Sequence, residues 1–134
     1  MSIVYLIGRI LFSALFIIAG PGEFQHKSID YASQAGVPFA TILVPLAGVI
    51  AILGGLSILL GYKMKVGAWL IVIFLVPVTL FIHKFWGLSD TGAATIQQIM
   101  FFKNISMIGA ALMFAYYGAG PYSIDGRAKK DSKA

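Results

Sequence analysis

Glu23, His83, Lys103 and Asn104 are the residues of this chain whose chemistry is least expected for their surroundings. They flank or interrupt long apolar stretches, where an ionisable or carboxamide group needs a partner or a wet cavity. Glu23 is the natural counter-charge for Lys103, and His83 adds a titratable group, so the set is predicted to hydrogen bond a polar ligand or to handle protons locally. Phe85 and Trp86 follow His83 and Lys84 directly, and a planar ligand bonded to His83 could stack on them. Lys103 has a second reading, in which its amine snorkels along the helix to the headgroups. Arg9 stands apart, about two turns inside the first apolar run. It either anchors carbonyls at the ends of the second and fourth spanning helices or reaches back to lipid phosphate.

Several kinds of chemistry drop out early. Glu23 and His26 have the i, i+3 spacing of carboxylate-bridged metal helices. A single copy, even with His83 as a third ligand, is too little to assign a metal site. The chain has no cysteine, which removes disulfides, CxxC redox pairs, thiolate metal sites and a thiol nucleophile. It also lacks a nucleotide-binding fingerprint and a haem-ligand pair, so no catalytic residue is assigned and any electron transfer requires a quinone or a partner protein.

The elements that must position these residues are four apolar runs, at 3–19, 41–60, 66–82 and 99–117. Each is close to the ~20 residues that cross a hydrocarbon core. With 59% apolar and 11% charged residues, the chain is far from a soluble domain, where about a quarter of residues are charged. The predicted fold is all-α: one four-helix transmembrane bundle over 1–134, with helices at about 3–20, 39–61, 65–86 and 96–118 and a polar tail at 119–134. The first run is read as a retained helix, because Arg9 lies inside it and Pro21, Gly22 and Glu23 stand where a signal peptide would carry small residues. Pro45 and Pro77 predict kinks, with Thr79 placed to help the backbone around Pro77. Ala47, Ala51 and Gly55 recur every four residues as a stripe suited to close helix packing. The short turn through Gly61 and Lys65 makes the second and third spans antiparallel neighbours.

Basic residues suggest the orientation. Lys63, Lys65, Arg127, Lys129, Lys130 and Lys133 fall on the face that carries both termini, against Lys27 and Lys84 on the other. This predicts both termini in the cytoplasm, and it ties the net charge of +5 to topology and anionic lipid. The tail is short, lacks aromatic residues and is interrupted by Asp131, so nucleic acid is not an expected partner. Most of the tyrosines sit at run ends, as interfacial belt residues do.

The blocks LIGRILFSALFIIAG, GVPFA, LGGLSILLGYKMKVGAWL, VPVTLFIHKFW and FFKNISMIGAALMFAYYGAGPYSID, in this order and spacing, resemble the DoxX family of small bacterial membrane proteins. The resemblance runs from Gly8 to Asp125. It implies a multi-pass bundle in the bacterial inner membrane and transfers importance to Arg9, His83, Phe85, Trp86, Lys103 and Asn104. Some members are associated with quinone-linked thiosulfate oxidation or with oxidative-stress complexes, while most have no assigned reaction. The chain departs from the family pattern at Ala51, where an acidic residue is common, and at Pro21 to Glu23, where a lysine is common. A carboxylate role at position 51 is thereby removed. The resemblance implies a membrane subunit or accessory of a quinone-linked oxidoreductase, with a polar pocket near the extracytoplasmic face and quinone as its one candidate cofactor. Its partners would be the bilayer, a redox protein and further copies of the chain. A scaffold docking through the Ala47, Ala51, Gly55 stripe and a small-molecule binder or transporter are the alternatives.

Overall fold

The computed structural model describes residues 2–133; Met1 and Ala134, which close the predicted domain and tail, lie outside the described residues. The chain forms α1 (Ser2–Ala19), a 3-10 turn (Gly20–Phe24), α2 (His26–Gln34), α3 (Ala40–Leu60), α4 (Met64–Phe81), α5 (Thr91–Tyr117) and α6 (Ile124–Asp131). Four stretches are long and apolar enough to cross a membrane: Ser2–Phe24, Ala40–Leu60, Met64–Phe81 and Thr91–Tyr117. α3 packs against both α1 and α4, and α4 against α5. Aromatic rings close the circle, with Phe114 of α5 edge-on to Tyr5 and Phe12 of α1. The start of α1, α6 and the α3–α4 turn share one face, called here the terminal face. α2, the 82–90 segment and the start of α5 share the opposite, loop face.

Small residues hold the bundle together. Lipid tails are as apolar as leucine, so helices associate through close packing and hydrogen bonds rather than by escaping water. The interior accordingly contains Ala51, Ala68, Ala111 and Ala115 around Phe16, Ile58, Ile71 and Leu75, while Leu11, Ile18, Leu53, Trp69 and Met113 face outward. A methyl group on Gly54 would lie 2.8 Å from Ile71 Cδ1 and 3.0 Å from the Gly67 carbonyl, so the α3–α4 contact needs a glycine there. Gly55 plays the same part against α1, where a methyl would meet Ile17 Cγ1 at 2.9 Å. Ala51 and Gly55 are thus buried within the chain's own bundle. Two of the three stripe residues are used inside the bundle, and Ala47 alone stays partly exposed.

The terminal face is tied down by polar contacts. Gly61 (φ +64) and Lys63 (φ +45) turn the chain from α3 into α4. Asp125, in the first turn of α6, accepts hydrogen bonds from the amides of Lys63 (3.0 Å) and Met64 (3.1 Å). A carboxylate there satisfies orphan donors and complements the positive end of the α4 dipole. Ser123 caps α6 in turn by accepting from the Gly126 amide. The tail expected to be merely polar therefore contains a helix docked onto the bundle.

The helix ends differ from the sequence expectation at the loop face. α4 stops at Phe81 instead of running on to 86. α5 starts at Thr91 instead of 96, because Asp90 caps it by accepting from the Ala93 amide. At 27 residues and 1.5 Å per residue, α5 is about 40 Å long and outreaches a hydrocarbon core of about 30 Å. Its first two turns, which carry Thr91, Thr95, Gln97 and Gln98, are polar for that reason. Pro45 and Pro77 both lie inside unbroken helices. Pro77 has no amide proton to offer the Ile73 carbonyl. The Thr79 hydroxyl bonds instead to the Leu75 carbonyl at 2.6 Å, one turn before itself.

Candidate functional site

A groove with a cavity volume of about 820 Å³ opens between α3 and α4 in the half of the bundle nearest the loop face. Leu43, Leu46, Ala47 and Ile50 of α3 form one wall, and Ile73, Pro77, Val78 and Phe81 of α4 form the other. From Ala40 down to Ile50 the groove descends about 15 Å at 1.5 Å per residue, roughly half the hydrocarbon thickness. The α3 and α4 walls named here are wholly apolar.

α2 roofs this groove. The 3-10 turn carries the chain away from α1, and the Ser28 hydroxyl donates to the Gly22 carbonyl at 2.9 Å, fixing the start of α2. Ala32 packs beside Ala40 and Val44, which presses α2 onto the top of α3. Glu23 fits closely because Gly48 has no side chain; a methyl there would stand 2.8 Å from Glu23 Cβ. Lys27, Ser28, Tyr31 and His83 thereby form a polar rim, while Glu23, at the level of Gly48, lines the deeper part of the groove.

His83 joins three elements at that rim. It lies just beyond α4, half-buried, with Nδ1 2.9 Å from Gln97 Oε1 on α5. Gln97 Nε2 donates to the Tyr31 hydroxyl on α2 at 3.4 Å. Behind this chain of hydrogen bonds lies a second cavity of about 400 Å³, lined by Gln34, Lys84, Leu88 and Gln97 and sharing Tyr31, Phe81 and Ile82 with the groove. Tyr31, His83 and Gln97 therefore stand as a partition between the groove and a pocket on the loop face.

The structure divides the residues that the sequence grouped together. Glu23 and His83 line the groove; Lys103, Asn104, Phe85 and Trp86 do not. Lys103 and Asn104 are adjacent on α5, so their side chains diverge by about 100° around the axis. Asn104 takes the inner direction and is 3% exposed. Lys103 takes the outer one, with Nζ 3.2 Å from Met100 Sδ one turn nearer the loop face, and it forms no ion pair with Glu23. Helical side chains lean toward the helix N-terminus, so this is the snorkelling geometry and not the cavity one. Phe85 and Trp86 pack on each other and on Phe101 of α5, with ring centroids 5.4 Å and 6.0 Å apart in the Phe85–Trp86 and Trp86–Phe101 pairs. Because α4 ends before them, they turn toward α5 and leave His83 without an aromatic shelf from that pair.

Lys27, Ser28 and Tyr31 at the groove rim, and Gln97 behind it, are not among the site residues expected from the sequence. Lys27 and Tyr31 lie four residues apart on α2, a helical spacing in a connection too polar to register as a span. That periodicity was the available signal. His26, the other half of the metal-like pair, is exposed. No three histidines or acids converge as a metal site among the described residues.

Arg9 occupies the other end of the bundle. It is 1% exposed. Nε donates to the Ile58 carbonyl at 3.0 Å and Nη2 to that of Leu59 at 2.7 Å, both at the end of α3. Nη1 donates to the carbonyls of Ala119 (2.9 Å) and Tyr122 (2.7 Å), just past α5. Carbonyls at a helix C-terminus have no intrahelical donor, and one planar guanidinium satisfies four acceptors from two segments at once. The Tyr5 hydroxyl adds a bond to the Gly118 carbonyl.

Similarity to known proteins follows the same architecture. The DoxX family profile matches residues 4–84, which takes in α1 to α4 and His83 but leaves α5, with Lys103 and Asn104, outside the match. Inner membrane protein YqjF of Escherichia coli (strain K12) is 32% identical over 122 residues, 90% of this chain and 88% of the relative. Inner membrane protein YphA of the same organism is 27% identical over 127 residues, 93% of this chain and 90% of the relative. No solved structure matches. With four spanning helices and relatives of this kind along nearly its whole length, the chain is a multi-pass protein of the bacterial inner membrane and belongs to the DoxX family.

Proposed function

We propose that the protein binds a membrane-dissolved amphiphile of the isoprenoid quinone class in the α3–α4 groove, as the membrane subunit or accessory of an oxidoreductase whose redox centre a partner protein carries. The observation that supports this reading is the groove itself: a largely apolar trough of about 820 Å³ rimmed by Lys27, Ser28, Tyr31 and His83, with Glu23 deeper inside. Ligand sites commonly have volumes of roughly 300–1,000 Å³ and pair apolar walls with a few convergent polar groups. A ligand entering from the bilayer lays its chain along Leu46, Ile50 and Ile73 and brings its head to the mouth. The absence of cysteine leaves electron transfer beyond the bound molecule to the partner.

The orientation belongs to the same proposal. Six lysines and arginines on the terminal face, against Lys27 and Lys84 on the loop face, favour an orientation with both termini in the cytoplasm. The groove mouth then faces the extracytoplasmic side.

Ala47→Trp tests the groove directly, because Ala47 lines it and an indole there fills the trough. With the protein in nanodiscs, a decyl-substituted benzoquinone is expected to bind the parent saturably and to lose at least tenfold in affinity to the variant. Equal affinity in the two proteins, with the variant folded, removes the reading. Cysteine-accessibility labelling of single cysteines placed in α6 and in the 82–90 loop checks the orientation.

A further inference from the structure

We propose that the α3–α4 groove also binds amphiphilic organic cations, with Glu23 as the counter-charge and Tyr31, Phe74 and Phe81 as the aromatic part of the site. This is a second chemical class of ligand, and it holds whether or not a quinone uses the same groove.

Glu23 carries the inference. It is the one acid in the four spanning segments, and an ionisable residue in such a segment marks a cavity or a partner by default. The bases of those segments are engaged elsewhere. Arg9 is taken up by four carbonyls near the terminal face, Lys65 lies in the first turn of α4 on that same face, and Lys103 lies along the outside of α5. Glu23 is half-buried, and no cation of the chain stands close enough to offset that burial. A carboxylate taken out of water without a partner is costly. The fold nevertheless makes room for it, since a methyl on Gly48 would stand 2.8 Å from Glu23 Cβ.

Depth and lining select the partner. Gly48 is eight residues along α3 from Ala40, about 12 Å from the loop-face end at 1.5 Å per residue. Phe74 is seven residues before Phe81, the last residue of α4, and so about 10 Å below it. Acid and ring thus lie at a similar depth. Both line the groove, as do Tyr31 and Phe81 nearer its rim. Phe74 is held in place by an edge-on contact with Phe16, with ring centroids 6.1 Å apart. An ammonium or phosphonium group on an apolar body suits this combination: the carboxylate supplies the opposite charge, the rings attract a cation through their quadrupoles, and Leu46, Ile50 and Ile73 take the hydrocarbon. A bare metal ion does not suit it, because one carboxylate offers too few oxygens.

Lys27 is the positive charge on the groove side. It sits in the first turn of α2 and is exposed, where its long stem carries the amine to water. His83, also at the rim, is engaged with Gln97. The deeper part of the groove is therefore its anionic part.

Equilibrium binding of radiolabelled tetraphenylphosphonium to the protein in nanodiscs tests this, with uptake by protein-free nanodiscs subtracted. Saturable binding is expected. Glu23→Gln should weaken it at least about tenfold, and Glu23→Asp, which keeps the charge, should weaken it less. Phe74→Leu should cost about three- to tenfold, and Ala47→Trp, which fills the same groove, should weaken binding as well. Lys27→Gln should change the affinity by less than about fivefold, as expected for an exposed charge. No saturable uptake by the parent, equal affinity in folded Glu23→Gln, or a gain of tenfold or more in Lys27→Gln, which would make Lys27 the partner of Glu23, overturns the proposal. Cation binding without benzoquinone binding removes the quinone reading alone; benzoquinone binding without cation binding removes this one alone.

Discussion

Removing the Arg9 guanidinium should separate the two ends of this molecule. Arg9 donates four hydrogen bonds, to Ile58, Leu59, Ala119 and Tyr122, and so ties α1 to the end of α3 and to the segment after α5. Polar bonds between spanning helices average about 0.6 kcal/mol and reach about 1.7, because the unfolded chain in the membrane also finds partners. Four of them give about 2–7 kcal/mol for Arg9→Ala. The freed carbonyls lie near the terminal face, where water can reach them once the side chain is gone, so the loss should fall in the lower half, about 2–4 kcal/mol. Arg9→Lys keeps the charge but replaces a planar fork with a point donor on a shorter stem, so it should recover only part of the loss. Reversible unfolding in mixed micelles measures both. Ligand affinity at the groove, which lies in the other half of the bundle, should be unchanged in both variants under conditions where they are folded. A cost under about 0.5 kcal/mol for Arg9→Ala, or full recovery in Arg9→Lys, would refute the four-carbonyl clamp as a source of stability.

Two further perturbations read the packing. Gly54→Ala drives a methyl to within 2.8 Å of Ile71 Cδ1 and 3.0 Å of the Gly67 carbonyl, and should cost about 1–3 kcal/mol in the same unfolding assay. Gly109→Ala places its methyl where nothing lies within 4 Å, and should be neutral or stabilising by up to about 1 kcal/mol through helix propensity. Asp125→Ala removes the acceptor for the Lys63 and Met64 amides and should cost about 0.5–2 kcal/mol. Hydrogen exchange at those two amides should speed up selectively; unchanged exchange there would show that the cap contributes nothing.

The spans were legible in the sequence because each is a long apolar run, and length against bilayer thickness is a coarse, robust signal. What hydropathy could not carry is structure built from polar residues. α2 and α6 are short, polar helices whose stability comes from docking: Ala32 against Ala40 and Val44 for the first, Asp125 against the start of α4 for the second. The first turns of α5 were missed for a related reason, since 91–98 lie above the hydrocarbon and have no need to be apolar. The Asp90 cap, with its acceptor three residues before Ala93, was the local signal that hydropathy passed over.

The site shows the same division between composition and geometry. Glu23 and His83 could be picked out as polar residues beside apolar runs, and they do line one groove. Lys103 and Asn104 were picked out on the same ground, yet a difference of one residue on a helix sends one side chain outward and the other into the bundle. Only the helical phase, set by which face of α5 meets α4, tells them apart, and α5 has too little amphipathic contrast to announce it from sequence. Phe85 and Trp86 fell away because α4 ends at Phe81, turning a presumed helical register into a loop. Tyr31 and Gln97 entered because a connection folded into a roof and polar turns extended α5. In a membrane bundle the spans are specified by what lipid tolerates. The polar rim of the groove comes from α2 and from the residues just outside the spans, which hydropathy does not single out.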